Sequence, residues 1–124
     1  MISKLHTSIE TKNIYGDLAK SLGLQPYILA KISIALSVRK GLLSEEDFQT
    51  NNDGLELSRT TIFGEYDTIY KAVITAQYNR SLYEDEYFPK VVKAHIDRGA
   101  KILRDERRYS KDFYNHMCHL DDNL

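Results

Sequence analysis

Three residues of the C-terminal stretch "HMCHLDDNL", His116, Cys118 and His119, are imidazole and thiolate groups of the kind zinc prefers. A structural tetrahedral site needs four ligands, and His6 and His95 are remote in sequence with no local partner motif, so no metal is expected. Glu65 and Asp67 of "GEYD" are a second chemical candidate, since two nearby carboxylates can hold a metal or act as acid and base. At the start of a helix, however, such residues read as capping groups facing its positive end. His95 falls on an apolar helix face and reads as a core histidine bonded to a backbone carbonyl rather than as a general base. Cys118 has no placed histidine to activate it as a nucleophile. With neither a glycine-rich P-loop nor a GxGxxG motif, nucleotide chemistry has no support either. The expectation is a protein that is not an enzyme and carries no cofactor.

Elements must hold these residues. Ile14, Leu18 and Leu22 recur at every fourth position beside Lys12 and Lys20, predicting an amphipathic helix of about four turns that Gly23 closes. A second helix should start at Pro26 and run through "YILAKISIALSVRKG" to Gly41, with Arg39 and Lys40 at its negative end. Ile28, Leu29, Ile32, Ala35 and Leu36 make its main stripe. Ile34 and Val38 fall off that stripe, so the helix is either central to the core or covered on a second face by another subunit. Ser44 before Glu45, Glu46 and Asp47 resembles a helix cap and first turn.

The stretch "GLELSRTTIFGEYD", residues 54–67, has alternating leucines and then β-branched and aromatic residues, which predicts extended chain packing Leu55, Leu57 and Phe63 onto the helices. No partner strand is evident. Gly64 allows a turn into a helix whose face is Tyr66, Ile69, Tyr70, Val73, Ile74 and Gln77. Arg59, a lone cation in an acidic segment, is expected to pair with Glu65 or Asp67. The last strong helix should span about Glu86 to Arg104, with Phe88, Val91, Val92, His95, Ile96, Gly99, Ile102 and Leu103 on one face. Gly99 on that apolar side costs about 1 kcal/mol of helix propensity, which implies that something approaches its backbone closely.

At 124 residues the chain is one domain's worth, and 42% hydrophobic with 28% charged residues is an ordinary globular composition. No apolar run nears the roughly 20 residues of a membrane span. The absence of a signal-peptide block and the single Cys118 fit a reducing cytoplasm. The net charge of −1 conceals a polarised chain. Residues 1–40 hold six Lys/Arg against Glu10 and Asp17; residues 41–70 hold seven Asp/Glu against Arg59. From Lys90 to Lys111 eight basic residues face Asp97, Asp105 and Glu106. Such blocks can pair within the fold, or they can present a basic face to phosphates.

The "GLELSRTTIFGEYD" segment, preceded by "LQPYILAKISIALSV" and followed by "VKAHIDRGAKIL", resembles the DndE family, the small subunit of the bacterial DNA phosphorothioation (DNA sulfur modification) system. The resemblance covers roughly Leu18 to Leu103, with "GEYD" and "HIDRG" the most telling blocks. It implies an all-α, compact domain of about four to six helices with one extended connector, assembled as a homotetramer that binds DNA, preferentially nicked duplex. It further implies sulfurtransferase-like and ATPase subunits as partners, which would carry the chemistry. Arg59, Gly64, Glu65, Tyr66, Asp67, His95 and Gly99 are then the family's structural motif. The candidate DNA contacts are Lys4, Lys12, Lys20 and Lys31 of the N-terminal segment and Lys93, Arg98, Lys101 and Arg104 of the last helix, multiplied by assembly. The domain is expected over residues 1–104, with a polar, fraying tail over 105–124.

Two other readings belong to different classes. The leading "MISKLHTSI" followed by two helices fits a ribbon-helix-helix repressor whose paired strands enter the major groove, though that pattern leaves the residues after the second helix unexplained. A scaffold subunit without DNA affinity differs only in where the basic helix points.

Overall fold

The computed structural model describes residues 3–109. Serine, glycine and proline set the first boundaries. Ser8 caps α1 (Ile9–Leu22) by accepting the Thr11 amide at 3.1 Å, and Gly23 ends it in the left-handed region at φ 68°. Pro26 sits in the first turn of α2 (Pro26–Lys40), where a missing N–H costs nothing. The chain turns by 110° between the two helices. Ser44 and Asp47 then form a reciprocal capping box on a short 3₁₀ turn, Glu45–Phe48.

The leading segment finds a partner that local reading does not provide. Strand β1 (Lys4–His6) pairs antiparallel with β2 (Glu56–Ser58), Leu5 lying opposite Leu57, and both leucines are buried. The alternation around Leu57 is thus half of a two-stranded ribbon within one chain, not a lone extended segment. Extended structure also stops sooner than expected: Arg59–Phe63 is a short helix, α3, which buries Ile62 and Phe63. Its β-branched residues suit strands, but tertiary packing of two large side chains on one helical turn outweighs so weak a preference.

A 3₁₀ turn at Gly64–Tyr66 leads to α4 (Asp67–Thr75). Only Ile74 of its expected apolar face is buried; Tyr66, Ile69 and Val73 are each at least half exposed. The predicted last helix is broken at its start. Phe88 has extended dihedrals (φ −130°, ψ 123°) inside the π-type segment Glu86–Val91, and the Phe88–Pro89 peptide is cis. Proline disfavours helical conformation in the residue before it. The regular helix α5 therefore begins at Val92 and continues to Tyr109.

Helix α5 is the spine of the core, and its main partner is α2. A Cβ on Gly99 would lie 1.8 Å from the Ser33 carbonyl oxygen, so glycine is what lets the two backbones meet. The buried face of α2 is consequently Leu29, Ala30, Ser33, Ile34 and Ser37 rather than the longer stripe through Ile28, Ile32 and Leu36. Ser33 sits where the backbones touch, and the fully buried Leu29 and Ile34 pack beside that contact. Ser33 donates its hydroxyl to the Leu29 carbonyl at 2.8 Å, which leaves the buried Tyr15 hydroxyl as the donor in its 2.6 Å bond to Ser33. Among the described residues, no single helix is long and apolar enough to cross a membrane. The architecture is chiefly helical, as expected; the zinc-type residues His116, Cys118 and His119 and the tail after Tyr109 lie outside the described residues.

Candidate nucleic-acid interface along the first and last helices

Helices α1 and α5 run alongside each other, and the seam between them sorts charges by depth. At its inner end Asp97 of α5 is almost fully buried beyond the N-terminus of α1. Its Oδ1 accepts the Ser8 amide at 3.0 Å and the Thr11 hydroxyl at 2.7 Å; its Oδ2 accepts the Thr50 hydroxyl at 2.6 Å and Lys93 Nζ at 2.7 Å. Burial alone would raise this carboxyl's pKa, but the bonds from Lys93, Thr50, Thr11 and Ser8 together outweigh it and hold the pKa below the ordinary value. Lys93, one turn before Asp97, is thereby committed inside the fold. Gly54 makes the same region possible, because a side chain there would collide with the Ser8 carbonyl at 2.1 Å.

Arg98 is committed as well. Its Nε donates to Ser37 Oγ at 2.8 Å, its Nη2 to the Ser37 and Gly41 carbonyls at 2.5 Å each, and its Nη1 to the Leu42 carbonyl at 2.9 Å. A cation at the orphan carbonyls of α2 is the arrangement the helix dipole favours. The Ser37 hydroxyl, which accepts from Arg98, also bonds His95 Nδ1 at 2.7 Å. His95 is a core residue, as expected, but its partner is a hydroxyl and not a backbone carbonyl. Burial, with a smaller push from the Arg98 charge and an opposing pull from Asp47, lowers its pKa to about 4. A neutral, buried imidazole of this kind is a packing element.

Farther along the seam the charges reach the surface. Glu10 of α1 meets Lys101 at 3.6 Å and Arg104 at 2.8 Å, and Arg104 also reaches Asp105 at 3.1 Å. Exposed pairs of this type contribute about 0–1 kcal/mol, so another anion can replace Glu10 at little cost. Lys12 and Lys20 are exposed on α1 and make no ion pair among the described residues. Lys31 lies 5.7 Å from the centre of the Tyr27 ring, and Lys4 pairs with Glu56 at 3.4 Å across the ribbon. At the outer end, Ile14, Asp17, Leu18 and Ser21 of α1 face Arg104, Arg107 and Arg108 of α5 across a groove of about 210 Å³. Arg107 and Arg108 were not among the sequence-derived contacts, although the i, i+3, i+4 spacing from Arg104 places all three on one helix face.

The second cluster surrounds the connector. Arg59 donates two bonds to Asp67, Nε to Oδ1 at 2.9 Å and Nη2 to Oδ2 at 2.7 Å, and also pairs with Glu84. Its guanidinium lies 5.2 Å from the Tyr87 ring and 5.3 Å from the Phe88 ring. Phe63 packs on Tyr70 and Tyr87 at centroid distances of 4.7 and 6.2 Å. The expected Arg59–Asp67 pair is present, and Glu65 is exposed without joining it. Asp67 is accordingly a structural partner of Arg59.

The family model described as "DNA sulphur modification protein DndE" matches residues 4–111. Among solved structures, DndE from Escherichia coli B7A, involved in DNA phosphorothioation modification, is 24% identical with a TM-score of 0.66, over 83% of this chain and 97% of that one. A DndE mutant involved in DNA phosphorothioation is 23% identical with a TM-score of 0.64, over 85% of this chain and 99% of that one. Among curated proteins there is no match.

Proposed function

The chain belongs to the DndE family of the DNA phosphorothioation system, and from that premise we propose that it is the non-catalytic subunit that holds the DNA backbone while partner subunits place the sulfur. The observation that carries this reading is the packing of α1 on α5. It sets Lys101 and Arg104 of α5 against the single carboxylate of Glu10 and gathers Arg104, Arg107 and Arg108 along one wall of the seam, in a protein whose net charge is only −1, while Lys12 and Lys20 stand exposed elsewhere on α1. Phosphates need such a surface, and contacts to them are strongly salt-dependent. The partners on this reading are DNA, with a preference for nicked duplex, and sulfurtransferase-like and ATPase subunits in the cytoplasm. Lys4 and Lys31 contribute at the edges, whereas Lys93 and Arg98 support the surface from beneath.

A homotetramer completes the proposal. Support comes from apolar surface that the single chain leaves uncovered: Tyr66, Ile69 and Val73 on α4, and a mainly apolar groove of about 290 Å³ between Leu22, Ile32, Leu36 and Leu103, edged by Glu106 and Arg107. The same surfaces favour the scaffold reading. The repressor reading loses its footing, since β1 pairs with β2 of its own chain and the family match spans the residues that a ribbon-helix-helix pattern leaves unexplained. Fluorescence anisotropy against intact and singly nicked duplexes over a range of salt, with light-scattering mass on the same sample, is the test. A tetrameric mass with tighter, salt-sensitive binding to the nicked duplex is expected. An oligomer that ignores both duplexes would move the function to holding the complex together.

A further inference from the structure

Resting on that reading, we infer that the groove between Ser21 of α1 and Arg104, Arg107 and Arg108 of α5 is the seat of a DNA backbone phosphate. Three arginines on one helix face converge on a concave site whose single acidic wall residue is Asp17. The excess of positive charge is local. Elsewhere on α5 a carboxylate or a set of carbonyls meets each neighbouring cation: Asp97 for Lys93, the end of α2 for Arg98, Glu10 for Lys101. Arg107 and Arg108 make no ion pair among the described residues, and Arg107, partly buried, lines both this groove and the apolar groove beside Leu103.

The shape suits a phosphodiester. Guanidinium groups present paired N–H donors that match two phosphate oxygens, and the exposed Ser21 hydroxyl on the opposite wall donates to the Asp17 carbonyl at 3.3 Å, a long bond that a phosphate oxygen can replace. Ile14 and Leu18 form an apolar floor against which a sugar can rest. Arg104 turns toward the groove by giving up exposed pairs with Glu10 and Asp105, each of which costs about 0–1 kcal/mol. A protein partner, such as the acidic 45–47 turn of a second copy, is the competing occupant.

The test is anisotropy of the full chain with nicked duplex, from about 50 to 200 mM salt, comparing wild type with Arg107→Gln/Arg108→Gln. The variant is expected to bind about tenfold more weakly, with a salt slope smaller by about 0.9, because the groove neutralises one phosphate and each contributes about that much. Ser21→Glu places a carboxylate in the groove without touching the arginines and should give a similar loss. Unaltered affinity and slope in both variants, with wild type still binding, overturns the groove and leaves the DNA-holding reading intact. A wild type that binds neither duplex removes that reading and this inference together. A variant whose oligomer mass falls while its DNA affinity holds assigns the groove to a second copy and overturns the inference. If inorganic phosphate at constant ionic strength quenches binding equally in wild type and double variant, phosphate is taken elsewhere and the groove is again excluded.

Discussion

The two halves of α5 carry basic residues unequally, two in the inner half and four in the outer, and use them in opposite ways. In the inner half, Lys93 and Arg98 hold Asp97 and the end of α2, and nothing of their charge is left for a ligand. In the outer half, Lys101, Arg104, Arg107 and Arg108 meet only exposed carboxylates or none among the described residues. Charge in a sequence therefore says little about charge on a surface. Depth decides: a cation near a buried carboxylate is fixed by the desolvation that would follow its release, whereas one near a solvated carboxylate exchanges freely.

The sharpest break of this comparison is Asp97→Ala. It strips the acceptor from four donors and leaves Lys93 charged in a low-dielectric site, and a loss of about 3–5 kcal/mol is expected by urea denaturation. A loss under about 1 kcal/mol would place the inner half among ordinary surface charges. Acid probes the same region. The folded pKa of His95, about 4, lies below its unfolded value, so its contribution is complete above about pH 6.5 and falls by about 1.4 kcal/mol per unit as pH drops toward 4. Asp97 acts in the same direction in a lower window, since its folded pKa is also depressed and its contribution fades as pH falls below the ordinary carboxyl range. Thermal melts from pH 7 to 4 should show a steady decline that His95→Gln flattens.

Gly99→Ala tests what lies under both halves. A methyl group must displace the Ser33 carbonyl, and overpacking of this kind costs about 1–3 kcal/mol, visible as a lower denaturation midpoint. A double-mutant cycle on Arg59 and Asp67 should return a coupling of about 1–2 kcal/mol, because the pair is bidentate and partly shielded by Tyr87 and Phe88. The smallest expected effect on stability completes the contrast. Arg107→Gln/Arg108→Gln should leave unfolding within about 0.5 kcal/mol of wild type while weakening DNA binding. A large loss of stability there would make the outer half structural too.

Much of this was legible in the chain. Gly23, Pro26 and Gly41 bound the first two helices because backbone geometry needs no distant partner, and Gly99 announced a close approach because nothing else explains glycine on an apolar helix face. The Arg59–Asp67 pair was legible for the same local reason, eight residues apart across one turn. The break at Pro89 was equally local and was missed, hidden by a continuous apolar stripe. Of the candidate contacts, Lys12 and Lys20 lie exposed, but the engagement of Lys93 and Arg98 depends on Thr50 and on the end of α2, which their own helix does not specify.

The sequence by itself determined the helical class, the ends of α1 and α2, the polarised charge and the DndE blocks, all of which follow from residue type at short range. Only the tertiary structure decided that β1 pairs with β2 across fifty residues, that the side of α2 carrying Ser33, Ile34 and Ser37 is the buried one, and which cations face outward. Those outcomes rest on contacts between segments far apart in the chain, where close packing and the cost of leaving a buried charge unpaired select one arrangement from many that local preference allows.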